Sequence, residues 1–411
     1  MRVTHICTSF EGGAGICAAR IIEATRALGV EARAIVANGV DCEYVRTVQP
    51  KIAWSPYWLL QKSQALRAVL GWGPKVFRIS RKIAKEQRKH HGLYCFTSPV
   101  TGYTDIAEHP WVKDADVIHL HWVGNFVDYE SFFSHINKPI VWTIHDENPG
   151  LGGFHYTSWK KDAPLSFQKL DDKLMELKTK AYSQINSMTL VAISQQMESY
   201  FEQSELLRRF PHVLIHNGID GQQFSPVPQA TAREELGLSQ EDVVFLFSAQ
   251  NIHEERKGLK ELIAALESLH IPQTVLLCLG RKEFTPKASF TIQCEGFISD
   301  HRSQSLYYSA ADFFMMPSFQ EAFAQAPMEA MACGTPVVAF PCSGTKELIS
   351  DNNGVICDDF TIDALIYGIK IAMSTTYDST SIRTSVLSHF SYEYIAQQYI
   401  QLYQEQMKLE Y

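Results

Sequence analysis

Two glutamates in the second half of the chain, Glu321 and Glu329, are eight positions apart in the segment PSFQEAFAQAPMEAMACGTPVV. This segment follows an apolar strand and contains a helix that Gly334 ends. Glu321 would lie in the strand-to-helix loop and Glu329 in the helix, at the sheet edge where open α/β sheets bind ligands. The helix N-terminus between them suits a diphosphate, and two carboxylates suit the hydroxyls of a sugar and a ribose. The alternative, favoured for an isolated pair of this spacing, is a helix cap and a surface ion pair.

A pair of cations, Arg256 and Lys257, follows the strand VVFLFSAQ and opens a helix. Fixed cations at the end of a strand can stabilise a diphosphate leaving group where no metal does so. The alternative is a solvated pair balanced by Glu254 and Glu255.

A histidine, His145, ends the apolar strand VWTI and is followed by Asp146. At the carboxyl edge of a sheet its imidazole can hydrogen-bond a sugar hydroxyl. A single histidine is more often a structural residue, and we interpret the nearby His155 in that way.

Two further patterns predict no cofactor. Residues 13–18 match G-x-G-x-x-A, the dinucleotide-binding pattern, but the acidic residue expected at the end of the second strand is missing. His119 and His121 alternate along a strand and could bind zinc from one face, but no third ligand is evident. We therefore expect core or cleft-lining histidines and no metal.

The elements that must position these residues alternate between strand and helix. The first half contains a βαβ unit, predicted as a strand at 3–8, a glycine loop at Gly12, Gly13 and Gly15, a helix at 16–28 and a strand at 32–37. Further strands are predicted at 117–120, 140–144 and 190–193, and the pattern restarts at 243–248. The sequence therefore predicts an α/β protein of two domains. The N-terminal domain comprises residues 1–200 together with a C-terminal helix at about 388–411, and the C-terminal domain comprises residues 215–387.

The glutamate segment, with its trailing EAMACGTPVVA, resembles the E-x7-E signature of family 4 glycosyltransferases. This resemblance implies the GT-B fold, two facing Rossmann-like domains with a central cleft, and sugar transfer with retention. It implies contacts of Glu321 with the donor sugar, Glu329 with the ribose, Lys257 with the phosphates and His145 with the sugar. The family's usual arginine falls at Ile252, so Arg256 is taken as the second cation. The remaining donor-binding positions implied are Gly13, Gly15, Asn251, Gly296, Phe297, Ala322, Phe323, Ala324 and Gln325.

The pattern W-T-x-H-D-x-x-P…G-G-x-H-Y further resembles a branch that makes bacterial surface polysaccharides, including capsule. The resemblance implies a nucleotide diphosphate sugar as donor and a saccharide or lipid-linked saccharide as acceptor, with no metal or other cofactor. Two alternatives stay open: a sugar-nucleotide epimerase of the same fold, and a non-catalytic partner in polysaccharide assembly.

The charge and cysteine content limit the cellular location and the binding partners that we expect. A net charge of −8 gives no reason to expect nucleic acid, and nine cysteines without a C-x-x-C pair fit a reducing cytoplasm. Residues 61–92 hold nine Lys/Arg against one acid, Glu86, and Val76, Phe77, Ile79 and Ile83 form an apolar stripe. This segment is interpreted either as a peripheral contact with the inner face of the plasma membrane or as a solvated helix face.

Overall fold

The computed structural model describes residues 1–50, 75–90, 95–282 and 285–408 of the 411-residue chain. The chain divides into two compact units, Met1–Ile215 with Ala396–Tyr411, and His216–Ile395. The predicted second domain, 215–387, starts beside this division.

The first unit is built on a seven-stranded sheet in which all pairings are parallel and the order is β3-β2-β1-β4-β5-β6-β7. In β5 all five residues are buried, as expected for a parallel strand covered by helices on both faces. The strands are β1 (Arg2–Ser9), β2 (Glu31–Asn38), β3 (Val45–Thr47), β4 (Val117–Leu120), β5 (Ile140–Ile144), β6 (Met188–Ala192) and β7 (His212–Leu214).

Helices and short turns connect these strands. The helices are α1 (Gly12–Ala27), α2 (Lys75–Lys89), α3 (Pro110–Lys113), α4 (Tyr129–His135), α5 (Thr157–Asp162), α6 (Leu165–Tyr182) and α7 (Gln195–Gln203), with 3-10 turns at Ile106–Glu108 and Asn148–Gly150.

The second unit repeats this design with a six-stranded parallel sheet in the order β10-β9-β8-β11-β12-β13. Its apolar core lies between these strands and two helices, Leu259–Leu269 and Ile362–Ser374. The strands are β8 (Val243–Asn251), β9 (Thr274–Arg281), β10 (Thr291–Gly296), β11 (Phe313–Met316), β12 (Val337–Ala339) and β13 (Gly354–Ile356).

The helices of this unit are α8 (Gln229–Leu236), α9 (Leu259–Leu269), α10 (His301–Ala310), α11 (Ala326–Ala332), α12 (Thr345–Leu348), α13 (Ile362–Ser374) and α14 (Ser379–Phe390), with a 3-10 turn at Glu255–Lys257. The final helix, α15 (Tyr392–Lys408), starts in the second unit and ends in the first.

Both strand orders follow the doubly wound 3-2-1-4-5-6 pattern of Rossmann-like folds. The strand order reverses between β1 and β4 in the first unit and between β8 and β11 in the second. In such sheets ligands bind where the order reverses, outside the carboxyl ends of the strands. The loops after β8 and β11 are therefore the expected binding loops of the second unit.

The first glycines do not form the loop that the sequence suggests, because α1 starts at Gly12 instead of Ile16. Gly12 has a φ of +72°, which lets the chain turn directly from β1 into the helix. A Cβ atom at Gly15 would lie 2.5 Å from the carbonyl oxygen of Ser9, so this glycine is required by the packing of α1 on the end of β1. At Gly13 an added Cβ would meet nothing within 4 Å.

Only part of the basic segment falls within the described residues, since 61–74 and 91–92 lie outside them. In the described part, Ile83 is buried and Ile79 half-buried, and both pack against a core cluster that includes Phe167 and Leu170 on α6. This half of the predicted apolar stripe therefore faces the protein and not a membrane. Phe77 is 37% exposed, and the exposed basic side chains of α2 include Arg78, Arg81, Lys82 and Lys85. Among the described residues, no helix has the length and apolarity needed to span a membrane.

Candidate active site

The loops after β8 and β11 are held together by hydrogen bonds to backbone carbonyls and by close packing. The Phe319 N–H donates to the carbonyl of Arg256 at 2.8 Å. The Arg256 guanidinium in turn donates through Nη1 to the carbonyl of Gln320 at 2.9 Å. Gly258 has a φ of +74°, and a Cβ atom at this position would lie only 2.0 Å from the carbonyl oxygen of Pro317. A glycine after Lys257 is thus what permits the two loops to meet.

Three predicted site residues converge where these loops meet. The Lys257 ammonium donates to Glu321 Oε1, and Arg256 Nη1 lies 3.5 Å from Glu321 Oε2. The three side chains are only 12–24% exposed. Arg256 also pairs through Nε with Glu254 Oε1 at 2.5 Å. The structure therefore brings both cations and the first glutamate into one cluster at the point where the strand order reverses.

The cations set the charge of the glutamate. Burial opposes ionisation of Glu321, but the charges of Lys257 and Arg256 outweigh it, so the pKa of this carboxyl lies below its ordinary value. Glu321 is consequently a carboxylate at neutral pH. A carboxylate accepts hydrogen bonds from sugar hydroxyls, while the cations beside it can bind phosphate oxygens.

The second glutamate has a different environment. Glu329 lies in α11, is buried, and accepts a hydrogen bond through Oε2 from the hydroxyl of Tyr308 at 2.8 Å. The helix that carries it has only seven residues and has Pro327 in its first turn, which has no N–H to offer. The predicted diphosphate site at this helix N-terminus is thus weaker than the sequence suggests. In the loop before the helix, the N–H groups of Phe323 and Ala324 donate to no described residue.

The other predicted donor-binding residues of this unit lie at the same edge of the sheet, because its strands are parallel. Asn251 ends β8 and is exposed, with Oδ1 accepting from the N–H of His253 at 2.9 Å. Gly296 ends β10 with a φ of +78°, and the following Phe297 is 61% exposed. Ile252, where the resemblance expects an arginine, is fully buried in the core and cannot bind a ligand.

In the first unit, His145 lies directly after β5, as the sequence suggests. Burial lowers its pKa to about 4 despite the neighbouring Asp146, so the imidazole is neutral at neutral pH. Its Nε2 is buried and makes no hydrogen bond with any described residue.

The loop after His145 is fixed by a buried ionic network. The carboxylate of Asp146 accepts from His155 Nδ1 at 2.6 Å and from Trp122 Nε1 at 3.0 Å, and Lys178 Nζ donates to the carbonyl of Asn148 at 2.6 Å. Burial alone would lower the pKa of His155, but Asp146 raises it to about 10. His155 is only 3% exposed, which agrees with its interpretation as a structural residue.

The sequence did not reveal the third member of a histidine cluster. His5 on β1 is in register with His119 on β4, and ring nitrogens of His5, His119 and His121 lie within 4.8 Å of one another. Both nitrogens of His119 are already paired, with Tyr403 Oη at 2.6 Å and Thr143 Oγ1 at 2.8 Å. Three histidines thus do not provide three unpaired ring nitrogens for a metal. The absence of a metal stays a prediction.

Residues 228–383 match the family model described as Glycosyl transferases group 1. The match lies within the second unit and includes Lys257, Glu321 and Glu329. Over these residues the chain is similar to group 1 glycosyltransferases.

Similar proteins agree with this assignment. An uncharacterized glycosyltransferase of Methanocaldococcus jannaschii is 24% identical over 72% of this chain and 77% of its own length. A D-inositol 3-phosphate glycosyltransferase of Xylanimonas cellulosilytica is 35% identical, but the match spans only 35% of this chain and 39% of that protein.

A solved structure shows the same fold along almost the whole chain. The Anabaena protein HepE, in complex with UDP-glucose, superposes with a TM-score of 0.65 at 16% identity and covers 98% of this chain and all of its own. At this identity the likeness shows the GT-B architecture and not the substrate.

Proposed function

We propose that this protein is a retaining, family 4-like glycosyltransferase that moves a sugar from a nucleotide diphosphate sugar to a saccharide or lipid-linked saccharide. The observation that carries the proposal is the convergence of Lys257, Arg256 and Glu321 in a domain that matches the group 1 family model. HepE, which has the same fold, is described in complex with UDP-glucose, and this supports a nucleotide sugar as donor.

In the proposed reaction the bond between the anomeric carbon and the diphosphate oxygen breaks while the acceptor oxygen bonds to the anomeric carbon from the same face. The proton of the acceptor hydroxyl passes to the departing diphosphate. Lys257 and Arg256 hold the oxygens of the departing diphosphate and stabilise its growing negative charge. Glu321 binds hydroxyls of the donor sugar, and Glu329 is assigned to the ribose. No metal takes part, because the two cations supply the positive charge that a metal would otherwise provide.

His145 is assigned to a hydroxyl of the sugar. Because its imidazole is neutral, it carries one N–H and one acceptor nitrogen, and its buried Nε2 makes no hydrogen bond with the described residues. The buried Asp146–His155 pair holds the loop that follows His145.

We place this reaction in the cytoplasm, in the synthesis of a bacterial surface polysaccharide such as a capsule. A lipid-linked acceptor would bring the protein to the inner face of the membrane, and the exposed basic side chains of α2 are the proposed contact.

The experiment incubates the purified protein with labelled nucleotide sugars, with and without saccharide acceptors, and follows the nucleotide diphosphate released. The proposal predicts acceptor-dependent release and, by NMR, a product with the anomeric configuration of the donor. Conversion of the donor without acceptor would instead indicate an epimerase of the same fold. Calorimetry that detects no binding of any common nucleotide sugar would indicate a non-catalytic partner in polysaccharide assembly.

A further inference from the structure

The loop between Glu321 and α11 is anchored by its carbonyl groups. Ser343 Oγ donates to the carbonyl of Ala322 at 3.1 Å, and Asn217 Nδ2 donates to the carbonyl of Phe323 at 3.1 Å. Asn217 is only 3% exposed and comes from the segment that opens the second unit. Two side chains from distant parts of the sequence thus fix two consecutive peptide groups.

The packing around this loop leaves it little freedom to turn. Gly344, with a φ of +75°, approaches the loop so closely that a Cβ atom would lie 2.7 Å from the ring of Phe323. His216, next to Asn217, packs its ring 5.1 Å from that of Phe323 and pairs with Glu347 at 2.8 Å. The anchoring groups are therefore themselves held in place.

Fixing the carbonyls also fixes the direction of the N–H groups. In a trans peptide the C=O and the following N–H point in opposite directions. The N–H groups of Phe323 and Ala324 therefore point away from Ser343 and Asn217. Neither N–H donates to any described residue. Phe323 is buried and Ala324 half-buried, and backbone donors in such places are normally paired, so these two N–H groups are suited to a ligand that accepts hydrogen bonds.

We propose that Asn217 and Ser343 are positioning residues that aim the N–H groups of Phe323 and Ala324 at the diphosphate of the donor. The inference rests on the proposed function, and it adds a neutral, backbone component to the charges of Lys257 and Arg256. Neither side chain touches the donor in this account. Each acts through the carbonyl that it holds.

The test compares Asn217→Ala and Ser343→Ala with a matched control, Asn353→Ala. Asn353 is also 3% exposed and lies in the same unit, but its amide donates to Leu348 and Ser385, away from the loop. Ser343→Thr keeps a hydroxyl and serves as the conservative rescue. Calorimetry gives the dissociation constants of UDP, GDP and ADP and of the corresponding monophosphates for each protein.

The readout is the preference for the diphosphate over the monophosphate of the nucleotide that binds the wild type most tightly. Loss of either anchor should reduce this preference about tenfold, which corresponds to about 1.4 kcal/mol. It should also raise the KM for the donor sugar nucleotide more than it lowers kcat. Asn353→Ala and Ser343→Thr should keep the wild-type preference, whatever happens to their thermal stability.

Two different failures can be told apart. If Asn217→Ala and Ser343→Ala keep the same preference as Asn353→Ala, the anchors are structural and the positioning role is wrong. If the wild type itself binds no nucleotide diphosphate, the proposed function is wrong and the positioning role is overturned with it.

Discussion

The ammonium of Lys257 donates to the carboxylate of Glu321, a residue 64 positions further along the chain. The two side chains come from the loops after β8 and β11, the two strands at which the order of the second sheet reverses. The ion pair therefore joins the proposed phosphate-binding and sugar-binding groups before any donor is present. A bound donor would exchange this contact for two others, diphosphate with Lys257 and sugar hydroxyls with Glu321.

Removal of either member of the pair should strongly reduce transfer and leave the protein folded. For Lys257→Ala we expect kcat/KM to fall by about 100- to 1000-fold, the usual effect of losing one group that stabilises a developing charge. Glu321→Ala should be at least as impaired. Transfer assays and circular dichroism would be compared with Lys370→Ala, an exposed lysine on α13 that should retain full activity. Full activity in either site variant would contradict the assignment.

Arg256 should matter less than Lys257 because Glu254 already neutralises part of its charge. We expect Arg256→Gln to reduce kcat/KM about 10- to 100-fold, since one charge-assisted hydrogen bond is worth about 1.5–3 kcal/mol. The same assay on Glu254→Gln, which removes the competing carboxylate, should show donor affinity that is unchanged or higher. If Arg256→Gln kept wild-type activity, Arg256 would not act as the second phosphate-binding cation.

The approach of the two loops should depend on Gly258. In Gly258→Ala the new methyl group would collide with the carbonyl of Pro317, in addition to the strain of a φ of +74°. Gly237 provides a matched control, because its φ is +67° and nothing lies within 4 Å of an added Cβ. Gly237→Ala should lower the free energy of unfolding by about 1–2 kcal/mol without loss of transfer. Gly258→Ala should be destabilised further and inactive, and equal effects of the two substitutions would refute the steric argument.

The Asp146–His155 pair should make stability depend on pH in the alkaline range. The pKa of His155 is raised from 6.5 to about 10, so its contribution is complete below pH 6.5 and is lost as the pH rises towards 10. Urea unfolding across this range should show the difference in unfolding free energy between wild type and His155→Gln shrinking with increasing pH. A difference that stays constant would show that His155 is not charged in the folded protein.

If α2 contacts a membrane, its exposed basic residues should drive the binding. The double variant Arg78→Glu/Arg81→Glu should bind phosphatidylglycerol-containing vesicles about tenfold or more weakly than the wild type, because each basic residue contributes about 1 kcal/mol. Lys169→Glu/Lys173→Glu makes the same charge change on exposed positions of α6. Flotation with pure phosphatidylcholine vesicles provides the baseline, and equal binding of the two double variants would exclude α2 as the contact.

Much of the fold could be predicted because buried parallel strands consist of short runs of apolar residues, which can be recognised in the sequence. The strands at 117–120 and 140–144 have the predicted bounds. Among the strands that the sequence did not suggest, β3, β7 and β13 have only three residues each, too few for a periodic signal. The start of α1 was misplaced because glycines usually mark a loop, whereas here Gly15 permits close packing on β1.

The site was predictable where its residues lie in long motifs and not where it depends on contacts between distant segments. The sequence suggests Lys257 and Glu321 separately, and only the fold shows that they pair. His5 gives no signal of its own, because its partnership with His119 arises from the register of β1 with β4. The same is true of Asn217, whose contact with Phe323 spans 106 positions.

The most direct test is a crystal structure of the protein with the nucleotide diphosphate that binds it most tightly. We predict a diphosphate oxygen at about 3 Å from Lys257 Nζ, with the ammonium drawn away from Glu321. A diphosphate bound elsewhere in the protein, with the Lys257–Glu321 ion pair intact, would contradict the proposed site.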